Sequence, residues 1–404
     1  MRGFARRSTV EDALAWLDGR AAPLSAETVT LSEASGRVLA AEVTSTVDVP
    51  GFDRAMMDGF ALLAADTQGA SSYNRLKLSV IGESLPGRPF DGRVASGSAV
   101  RIMTGAPLPA GADAVLPVEQ VEIETDRIFA VGEVPPGKHV GRRGEDIAAG
   151  SVVLQAGRRL RPQDVGVLSS VGVSAVSVVR RPRVRIVVTG NELLPAGTPP
   201  RDYQIADANS PMLQALVRRD GGVPMFPGIV PDEREAILAA LQTECDVVLV
   251  SGGSSVGQED HVPRLVAEHG ELAIHGIAMR PSSPAGLGAL GDRLVFLLPG
   301  NPVSCLCAYD FFAGRAIRLL AGHDRDWPYR SVQAPLRRKL VSVVGRVDYA
   351  RVSLVEGQVE PLAISGASVL SSTVRADGFV IIPGDSEGYP PGHVVKVYLY
   401  DAGV

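Results

Sequence analysis

Three carboxylates in the middle of the chain lie in turns next to segments that read as strands or helices. Glu192 follows the apolar segment VRIVV, Asp207 precedes a helical pattern, and Asp260 ends the segment SGGSSVGQED. Mg²⁺ prefers oxygen ligands, so three acids at one place would suit a divalent cation. Taken singly, each acid has a simpler interpretation as a helix cap or part of a solvated turn. Asp207 would then cap a helix near Ser210, and Asp260 one at residue 261.

A glycine- and serine-rich segment directly follows the apolar run Val247–Val250. A short uninterrupted apolar run is typical of a strand buried on both faces of a parallel sheet. Glycines let the backbone turn sharply, and their N–H groups together with serine hydroxyls can bind a phosphate. An ordinary turn between a strand and a helix would explain the same composition. The candidate phosphate-binding residues are Ser251, Gly252, Gly253, Ser254 and Ser255.

Strand and helix patterns alternate along the sequence from about residue 181 to residue 325, around these candidate residues. Alternation of this kind predicts βαβ units and a mostly parallel sheet. Ligands bind beyond the carboxyl ends of such strands, so the loops 189–192, 251–260 and 299–302 should meet there, with Asp207 beside them. These loops add the following candidate binding residues: Gly190, Pro299, Gly300, Asn301 and Pro302.

Capping signals and turn residues predict the remaining elements. The segment SPMLQALVRRDGG predicts a helix with Ser210 as its N-cap and Gly221 just beyond its end. Residues 8–17, LSEASGRVLA, RPQDVGVLSSVG and NPVSCLCAYDFFAGRAIRLLAG also have helical patterns. Short apolar runs between turns predict a small all-β unit at about residues 60–145 and a C-terminal β-domain after Pro328.

Composition narrows the class of protein. The 404 residues are 45% hydrophobic and 21% charged, as in soluble globular proteins of about two to four domains. The formal charge of −5 offers no basic excess for binding nucleic acid. No apolar run reaches the ~20 residues that cross a bilayer. The three cysteines, Cys245, Cys305 and Cys307, do not suffice for a disulfide framework, and a reducing cytoplasm fits them best.

Eight motifs occur between about residue 8 and residue 400, and none of them is specific alone. They are FDRAMMDGFAL, VRIMTGAPLPAGADAV, GEDI, TGNEL, DAN, SGGSSVGQED, LLPGNPVS and SGASVLSS. Taken together and in this order, they resemble the motifs of the MoeA family of molybdopterin molybdenumtransferases, which includes gephyrin-like proteins. The resemblance covers nearly the whole chain.

The resemblance implies an elongated multidomain protein of the α/β plus β class. Its parts would be a split N-terminal dimerisation domain, an inserted β-domain, a MogA-like α/β domain with a mostly parallel sheet, and a C-terminal β-barrel. The split domain would comprise residues 8–49 and 146–180, with the inserted β-domain at 50–145. The molybdopterin-binding α/β domain would span residues 181–326 and the barrel residues 327–404.

The resemblance also implies a reaction. Members of this family are molybdenum insertases that cleave adenylylated molybdopterin, insert molybdate into its dithiolene and release AMP, with Mg²⁺. A pyrophosphate linkage carries about two negative charges, so neighbouring acids would repel it unless Mg²⁺ lies between them. Glu192, Asp207 and Asp260 are therefore expected to hold Mg²⁺ and to position a nucleophile, which would be water or a molybdate oxygen.

Three further residues are implied to act from the partner subunit of a homodimer. They are Asp58 in MMDG, Thr104 in MTG and Asp146 in GEDI. Without the resemblance, Asp58 would be interpreted as forming a turn before the glycine that follows it. Asp146 would likewise be interpreted as a cap or as an ion-pair partner of Arg142 or Arg143.

One loop departs from the family pattern. The family usually has Lys-Pro-Gly-Lys-Pro where this chain has Arg280-Pro281-Ser282-Ser283-Pro284. By resemblance, Arg280, Ser283 and Pro284 should contact molybdate, together with Arg351 from the barrel. Ser283 replaces a charge-assisted contact, which is about twice as strong as a neutral hydrogen bond. We therefore expect the affinity for molybdate, or the choice of oxyanion, to differ from the family norm.

Two other functions fit parts of the sequence. A MogA-like molybdopterin adenylyltransferase would use the same α/β fold and phosphate loop, but not the accompanying N-terminal domains and barrel. A non-catalytic cofactor-handling scaffold would explain the altered 280–284 loop but not the intact set of acids. The partners implied are a second copy of the chain, small-molecule substrates, a MogA-like adenylyltransferase and molybdoenzyme apoproteins, with neither nucleic acid nor membrane.

Overall fold

The computed structural model describes residues 7–253, 261–363 and 366–400. The chain divides into two compact units. One unit comprises residues 28–35 and 39–177, and the other comprises residues 1–27, 36–38 and 178–404. Within the described ranges, no helix combines the length and apolar character needed to cross a bilayer.

The unit containing residues 39–177 is built around a six-stranded sheet. Neighbouring strands run antiparallel, except that Leu76–Ser84 and Ser98–Ile102 are parallel. One face of the sheet packs on a buried cluster that includes Phe60, Leu78 and Leu116, which confirms the all-β character predicted for this part of the chain. In sheet order, the strands are Ala114–Pro117, Gly59–Leu62, Ser98–Ile102, Leu76–Ser84, Arg127–Ala130 and Val121–Ile123.

This unit also contains two α-helices and several short strand pairs. The strands Val43–Thr44 and Val152–Leu154 pair, as do Arg54–Ala55 and Val140–Gly141. The predicted helix in RPQDVGVLSSVG spans Pro162–Ser170 and has proline in its first turn. The helix predicted in LSEASGRVLA is only Leu31–Ala34, because the chain turns at Gly36 with a φ of +79°.

The other unit begins with helix α1 (Val10–Asp18) and contains a second six-stranded sheet. The strands of this sheet are β1 (Arg183–Val188), β2 (Val223–Met225), β3 (Val247–Ser251), β4 (Glu271–His275), β5 (Gly286–Leu290) and β6 (Arg293–Leu298). The sheet order is β2-β1-β3-β6-β5-β4. Strands β2, β1, β3 and β6 are mutually parallel. Strand β5 runs antiparallel to both of its neighbours, β6 and β4. The sheet is therefore mostly parallel, as predicted.

The continuous apolar runs of this sheet follow from burial on both faces. In β3, Val247 and Leu249 join one buried cluster, and Val248 and Val250 join the other. Successive side chains of a strand point to opposite faces, so an apolar residue is needed at every position. The strand ends at Ser251, a buried polar residue next to the glycines of the following loop.

The helices of this unit are α2 (Asn209–Arg219), α3 (Arg234–Leu241), α4 (His261–His269), α5 (Pro302–Ala308) and α6 (Gly314–Leu320). A π-helical turn at Tyr309–Ala313 joins α5 to α6, so the long helix predicted there is continuous. The expectation that Ser210 is the N-cap of α2 is wrong. Asp207 Oδ1 accepts from the backbone N–H groups of Asn209 and Ser210 and caps the helix instead. Gly221 follows the end of α2 with a φ of +89°, as predicted.

The C-terminal β-domain is a small closed barrel, as predicted. Its strands are β7 (Ser331–Pro335), β8 (Val347–Val355), β9 (Gln358–Ala363), β10 (Gly378–Ile382) and β11 (Val394–Leu399). Pairing runs β9-β8-β10-β11-β7, and the two-residue strand Met279–Arg280 also pairs with β8. The edges meet where Leu336 forms a bridge with Val359 and Arg337 N–H donates to the Val359 carbonyl at 2.8 Å.

Candidate active site

A cavity of about 500 Å³ opens at the carboxyl ends of β1, β3 and β6. The loops that follow these strands line it together with the turn before α2, so the described parts of the three loops meet as predicted. The lining residues are Val188, Thr189, Glu192, Leu193, Ile205, Ala206, Asp207, Ala208, Asn209, Ser251, Gly252, Gly300, Asn301, Pro302 and Ser368.

Glycine is required at two positions of the loop after β3. Gly252 has a φ of +101°, and a Cβ there would lie 2.4 Å from the Thr189 carbonyl oxygen. Gly253 has a φ of +54°. Both conformations favour glycine, and the close approach at Gly252 excludes any side chain. This part of the predicted phosphate loop therefore brings bare backbone to the cavity, while Ser254 and Ser255 lie outside the described residues.

The two carboxylate oxygens of Asp207 differ in their hydrogen bonds. Oδ1 accepts from the backbone N–H groups of Asn209 at 2.9 Å and Ser210 at 3.0 Å. Oδ2 is buried and has no hydrogen-bond partner among the described residues. A buried carboxylate oxygen without a partner is costly in a folded protein. Asp207 therefore caps α2 through Oδ1 alone, and its Oδ2 takes no part in the cap.

Asn209 is a site residue that the sequence interpretation missed. Its Nδ2 donates to Ser251 Oγ at 2.8 Å and to the Gly300 carbonyl at 2.7 Å. Its Oδ1 is buried without a partner in the described part of the chain. The amide thus ties the turn before α2 to the loops after β3 and β6. Its position in the DAN motif, in the same tight turn as Asp207, was the available signal.

A short parallel ladder brings Glu192 close to Asp207. Leu193–Leu194 pairs with Ile205–Ala206, and the Glu192 carbonyl accepts from Ile205 N–H at 2.9 Å. Gly190 has a φ of +152°, and a Cβ there would lie 2.8 Å from a carboxylate oxygen of Glu192. A larger residue at 190 would therefore displace that carboxylate. Glu192 and Asp207 line one cavity, as the sequence predicted.

The donor set of the cavity fits a hard cation. Asp207, Glu192 and Asn209 line the cavity with two carboxylates and an amide, and Asp207 Oδ2 and Asn209 Oδ1 are buried without a hydrogen-bond partner among the described residues. Mg²⁺ binds such oxygens and keeps several waters. Within residues 7–253, 261–363 and 366–400, no group of three His, Cys, Asp or Glu residues is arranged to hold a metal. Asp260, the third predicted ligand, lies outside those ranges.

Ser368 is a second residue that was not assigned to the site from sequence. It belongs to the SGASVLSS motif and lines the cavity. The neighbouring Ala367 carbonyl accepts from Val303 N–H at 3.0 Å, which fixes this segment against the first turn of α5. Pro302 opens α5 and also lines the cavity, beside Asn301 and Gly300. Pro299, the other proline predicted to shape this loop, directly follows β6.

In the other compact unit, Asp58 and Thr104 form one hydrogen-bonded group. Asp58 Oδ1 accepts from both the backbone N–H and the hydroxyl of Thr104, each at 2.7 Å. These two bonds, the backbone one first, hold the pKa of Asp58 below its ordinary value of 3.8. Asp58 thus does more than form the turn proposed as its simpler interpretation.

Replacing Thr104 by valine is expected to raise the pKa of Asp58 part of the way towards its ordinary value. The hydroxyl donor is lost while the backbone N–H, which contributes more, remains. A ¹³C NMR titration of the carboxyl groups measures this. Arg101→Gln is the matched control and should cause a smaller rise, because Arg101 is the weakest contributor. An unchanged pKa in Thr104→Val would contradict this assignment.

Asp146 is exposed, and its backbone N–H donates to the Val49 carbonyl at 3.1 Å. The two arginines suggested as its ion-pair partners bind other acids. Arg142 contacts Asp53 at 2.7 Å and Arg143 contacts Asp48 at 2.6 Å. The pairing interpretation of Asp146 is therefore not the arrangement in the structure, and its carboxylate stays available to solvent.

Arg280 of the 280–284 loop is bound to a buried acid. Arg280 binds the fully buried Asp348 with two hydrogen bonds, and Asp348 also accepts from Ser342 Oγ at 2.7 Å. Ser283 Oγ is buried and has no partner among the described residues, while Pro284 is half-buried. Arg346 also contacts Asp348, at 3.3 Å, so Arg280 shares this one carboxylate with a second arginine.

Arg351 and the 280–284 loop converge on the same helix. Arg351 is fully buried, and burial lowers the pKa of its guanidinium. Burial raises the pKa of the Cys307 thiol in α5, and the charge of Arg351 and a hydrogen bond with Ser282 oppose this rise. Ser282 Oγ also donates to the Ser304 carbonyl of α5 at 2.5 Å. Both predicted molybdate-contacting segments thus adjoin the helix whose first turn lines the cavity.

Family comparisons cover most of the chain. A model described as the MoeA N-terminal region (domain I and II) matches residues 8–172. A model described as a probable molybdopterin binding domain matches residues 185–318, and one for the MoeA C-terminal region (domain IV) matches residues 333–400. All three families occur in the order expected from the eight motifs.

Individual relatives align with this chain along nearly their whole length. A molybdopterin molybdenumtransferase from Haemophilus influenzae is 34% identical over 93% of this chain and 94% of its own. A molybdopterin molybdenumtransferase from Staphylococcus aureus is 30% identical over 97% of this chain and 96% of its own. A crystal structure of the MoeA protein from Pyrococcus horikoshii, 33% identical, superposes with a TM-score of 0.84 over 98% of this chain and 100% of its own. The chain therefore belongs to the MoeA family.

Proposed function

We propose that this protein is a molybdopterin molybdenumtransferase that acts in molybdenum cofactor biosynthesis. We further propose that it cleaves adenylylated molybdopterin and releases AMP as molybdate enters the dithiolene. The observation that carries the proposal is the cavity at the carboxyl ends of β1, β3 and β6, where buried oxygens of Asp207 and Asn209 have no partner among the described residues. Relatives with the corresponding name match the chain over more than nine-tenths of its length.

The cavity supports binding of a pterin phosphate by shape and by polarity. Gly252 and Gly300 both line the cavity, so backbone without a side chain borders it at these two positions. Close backbone approach is what a phosphate cradle needs. Asn209 lines the cavity, and the two hydrogen bonds that its Nδ2 donates hold the surrounding loops in place.

We propose that Glu192 and Asp207, with Asp260, hold Mg²⁺ when substrate is bound. The ion would supply positive charge to the pyrophosphate linkage, which the two carboxylates would otherwise repel. The residues themselves orient the reacting groups. Asp207 is fixed by its contacts with the first turn of α2, and Glu192 by the ladder that joins residues 193–194 to 205–206.

Reconstitution tests the function directly. Purified protein is incubated with adenylylated molybdopterin, Mg²⁺ and molybdate, and AMP is measured together with transfer of active cofactor to a molybdoenzyme apoprotein. AMP release with cofactor formation supports the proposal. Consumption of ATP with unmodified molybdopterin would instead indicate an adenylyltransferase. The absence of both reactions would indicate a scaffold. Repeating the assay with tungstate measures the choice of oxyanion.

Ser283→Lys is expected to lower the molybdate concentration needed for half-maximal cofactor formation several-fold. An ammonium at this position adds a charge-assisted contact to a dianion, which a hydroxyl does not provide. It also adds charge where Arg280 is occupied by Asp348. Ser283→Met is the matched control, since it adds length without charge and should not lower the requirement. If Ser283→Lys leaves the requirement unchanged, this loop does not set oxyanion affinity.

We also propose a cytoplasmic homodimer in which Asp58, Thr104 and Asp146 serve the active site of the partner subunit. The three cysteines are free and buried, which suits a reducing compartment. The dimer is expected to receive substrate from a MogA-like adenylyltransferase and to deliver cofactor to molybdoenzyme apoproteins. The family resemblance, rather than a contact within this chain, supports these assignments.

Mixing two inactive variants tests the shared site. When Asp58→Asn and Asp207→Asn subunits are exchanged in equal amounts, about half of the dimers are mixed. Each mixed dimer then has one site with both substitutions and one with neither, so about a quarter of the activity returns. Mixing Asp58→Asn with itself is the control. If no activity returns although exchange is verified by mass spectrometry, Asp58 and Asp207 act within one subunit.

A further inference from the structure

Arg185 is a buried cation that the proposed function does not use. It lies on β1 and pairs in the ladder with Met225 of β2 and Val248 of β3. Only 7% of the residue is exposed, and its Nε has no hydrogen-bond partner among the described residues. Burial of an isolated cation disfavours the charged form, and the pKa of Arg185 is accordingly lowered.

The two acids that directly precede β3 in the sequence are bound to arginines other than Arg185. Asp246 pairs with Arg180 at 2.7 Å, and Glu244 pairs with Arg183 at 2.6 Å. The electrostatic neighbour of Arg185 is Cys245, and burial raises the pKa of this thiol, so it is neutral. Throughout the described part of the chain, no carboxylate forms an ion pair with Arg185. Its charge is therefore uncompensated.

A cavity of about 390 Å³ receives this side chain. It shares no lining residue with the candidate active site, which begins at the other end of β1. Its walls are mostly apolar and include Ile229, Val230 and Ala240, with Thr243 as the polar side chain beside Arg185. A single guanidinium set among aliphatic groups matches a ligand with one negative charge and an apolar body.

We propose that this cavity is an accessory binding site for a small monocarboxylate with a short aliphatic chain. The guanidinium presents donors in the fork geometry that suits a carboxylate, and charge-assisted hydrogen bonds of this kind are about twice as strong as neutral ones. The aliphatic chain lies against the walls formed by the 227–231 segment and α3. A phosphate dianion would leave a net negative charge among apolar groups and is excluded from this site.

Ligand-observed NMR titrations of the full-length protein with hexanoate, 1-hexanol and inorganic phosphate test the proposal. Wild-type protein is expected to bind hexanoate more tightly than either of the other probes. Arg185→Gln is expected to weaken hexanoate binding about tenfold or more, because the charge-assisted contact is lost. Arg183→Gln is the matched control, since it removes an exposed charge from the same strand and should leave hexanoate binding unchanged.

A second variant blocks the cavity without touching the buried charge. Ala239 lies on the exposed side of α3 and lines the cavity, so leucine there fills space at an exposed position of a helix. Ala239→Leu is expected to abolish hexanoate binding while the melting temperature stays close to that of the wild type. Equal hexanoate binding by wild type, Arg185→Gln and Ala239→Leu would overturn the proposal. So would binding of phosphate or hexanol as tight as that of hexanoate.

Discussion

Asp207→Asn is expected to lower the rate of AMP release about a thousandfold, which corresponds to ~4 kcal/mol of lost transition-state stabilisation. Asp207 lines the cavity and its buried Oδ2 has no partner among the described residues, so this carboxylate is the group expected to serve a cation or a reacting group once substrate is bound. Asparagine replaces one carboxylate oxygen by an N–H donor and removes the charge. Steady-state kinetics on the reconstituted reaction measure the effect.

The same substitution should leave the fold intact. An amide oxygen can still accept from the N–H groups of Asn209 and Ser210, as Asp207 Oδ1 does, so the cap of α2 is kept. Asp202→Asn is the matched control, because it removes a charge from an exposed position on the same loop, outside the cavity. Turnover by Asp207→Asn within about tenfold of the wild type, at an unchanged melting temperature, would remove Asp207 from the catalytic group.

Asn209→Leu has the second-largest expected effect, a loss of about a hundredfold in kcat/KM. Leucine has the same number and branching of side-chain heavy atoms but cannot donate to Ser251 Oγ and the Gly300 carbonyl, so the loops after β3 and β6 lose their common anchor. The buried Ser251 hydroxyl is also left without this donor. Small misplacements of substrate-binding groups are costly for catalysis. The loss should appear largely in KM, because the loops that bind substrate move apart.

Asn191→Leu provides the control for this prediction. Asn191 is an exposed amide on the neighbouring loop, and its Oδ1 accepts one long hydrogen bond, at 3.4 Å, from Asp232 N–H. It is expected to change kcat/KM less than twofold. If Asn209→Leu keeps wild-type KM and kcat, the hydrogen bonds of Asn209 do not organise the cavity.

Sequence patterns were sufficient to predict which loops meet. Val247–Val250 reads as a buried strand because both of its faces pack on a core, and parallel strands bring their carboxyl ends to one edge. The pairing of Glu192 and Asp207 in one cavity follows from that rule. The all-β unit and the closed barrel follow from the length and spacing of short apolar runs.

The missed features depend on contacts between residues distant in the sequence. Nothing local indicates that the Asn209 amide reaches Ser251 and Gly300, or that Arg280 is bound to Asp348. The error at Ser210 has a local cause, since two good caps lie close together and Asp207 reaches the free N–H groups first. Sequence patterns locate loops well, but they do not assign individual oxygens within them.

The position of the bound substrate can be tested directly in a crystal structure of Asp207→Asn protein soaked with adenylylated molybdopterin. This variant should bind the substrate but turn it over slowly. We expect the pterin phosphate against Gly252 and Gly300 and the pterin ring within reach of Asn209 Oδ1, in the cavity at the ends of β1, β3 and β6. Substrate bound elsewhere on the protein, with this cavity filled only by solvent, would contradict the assignment of the active site to this cavity.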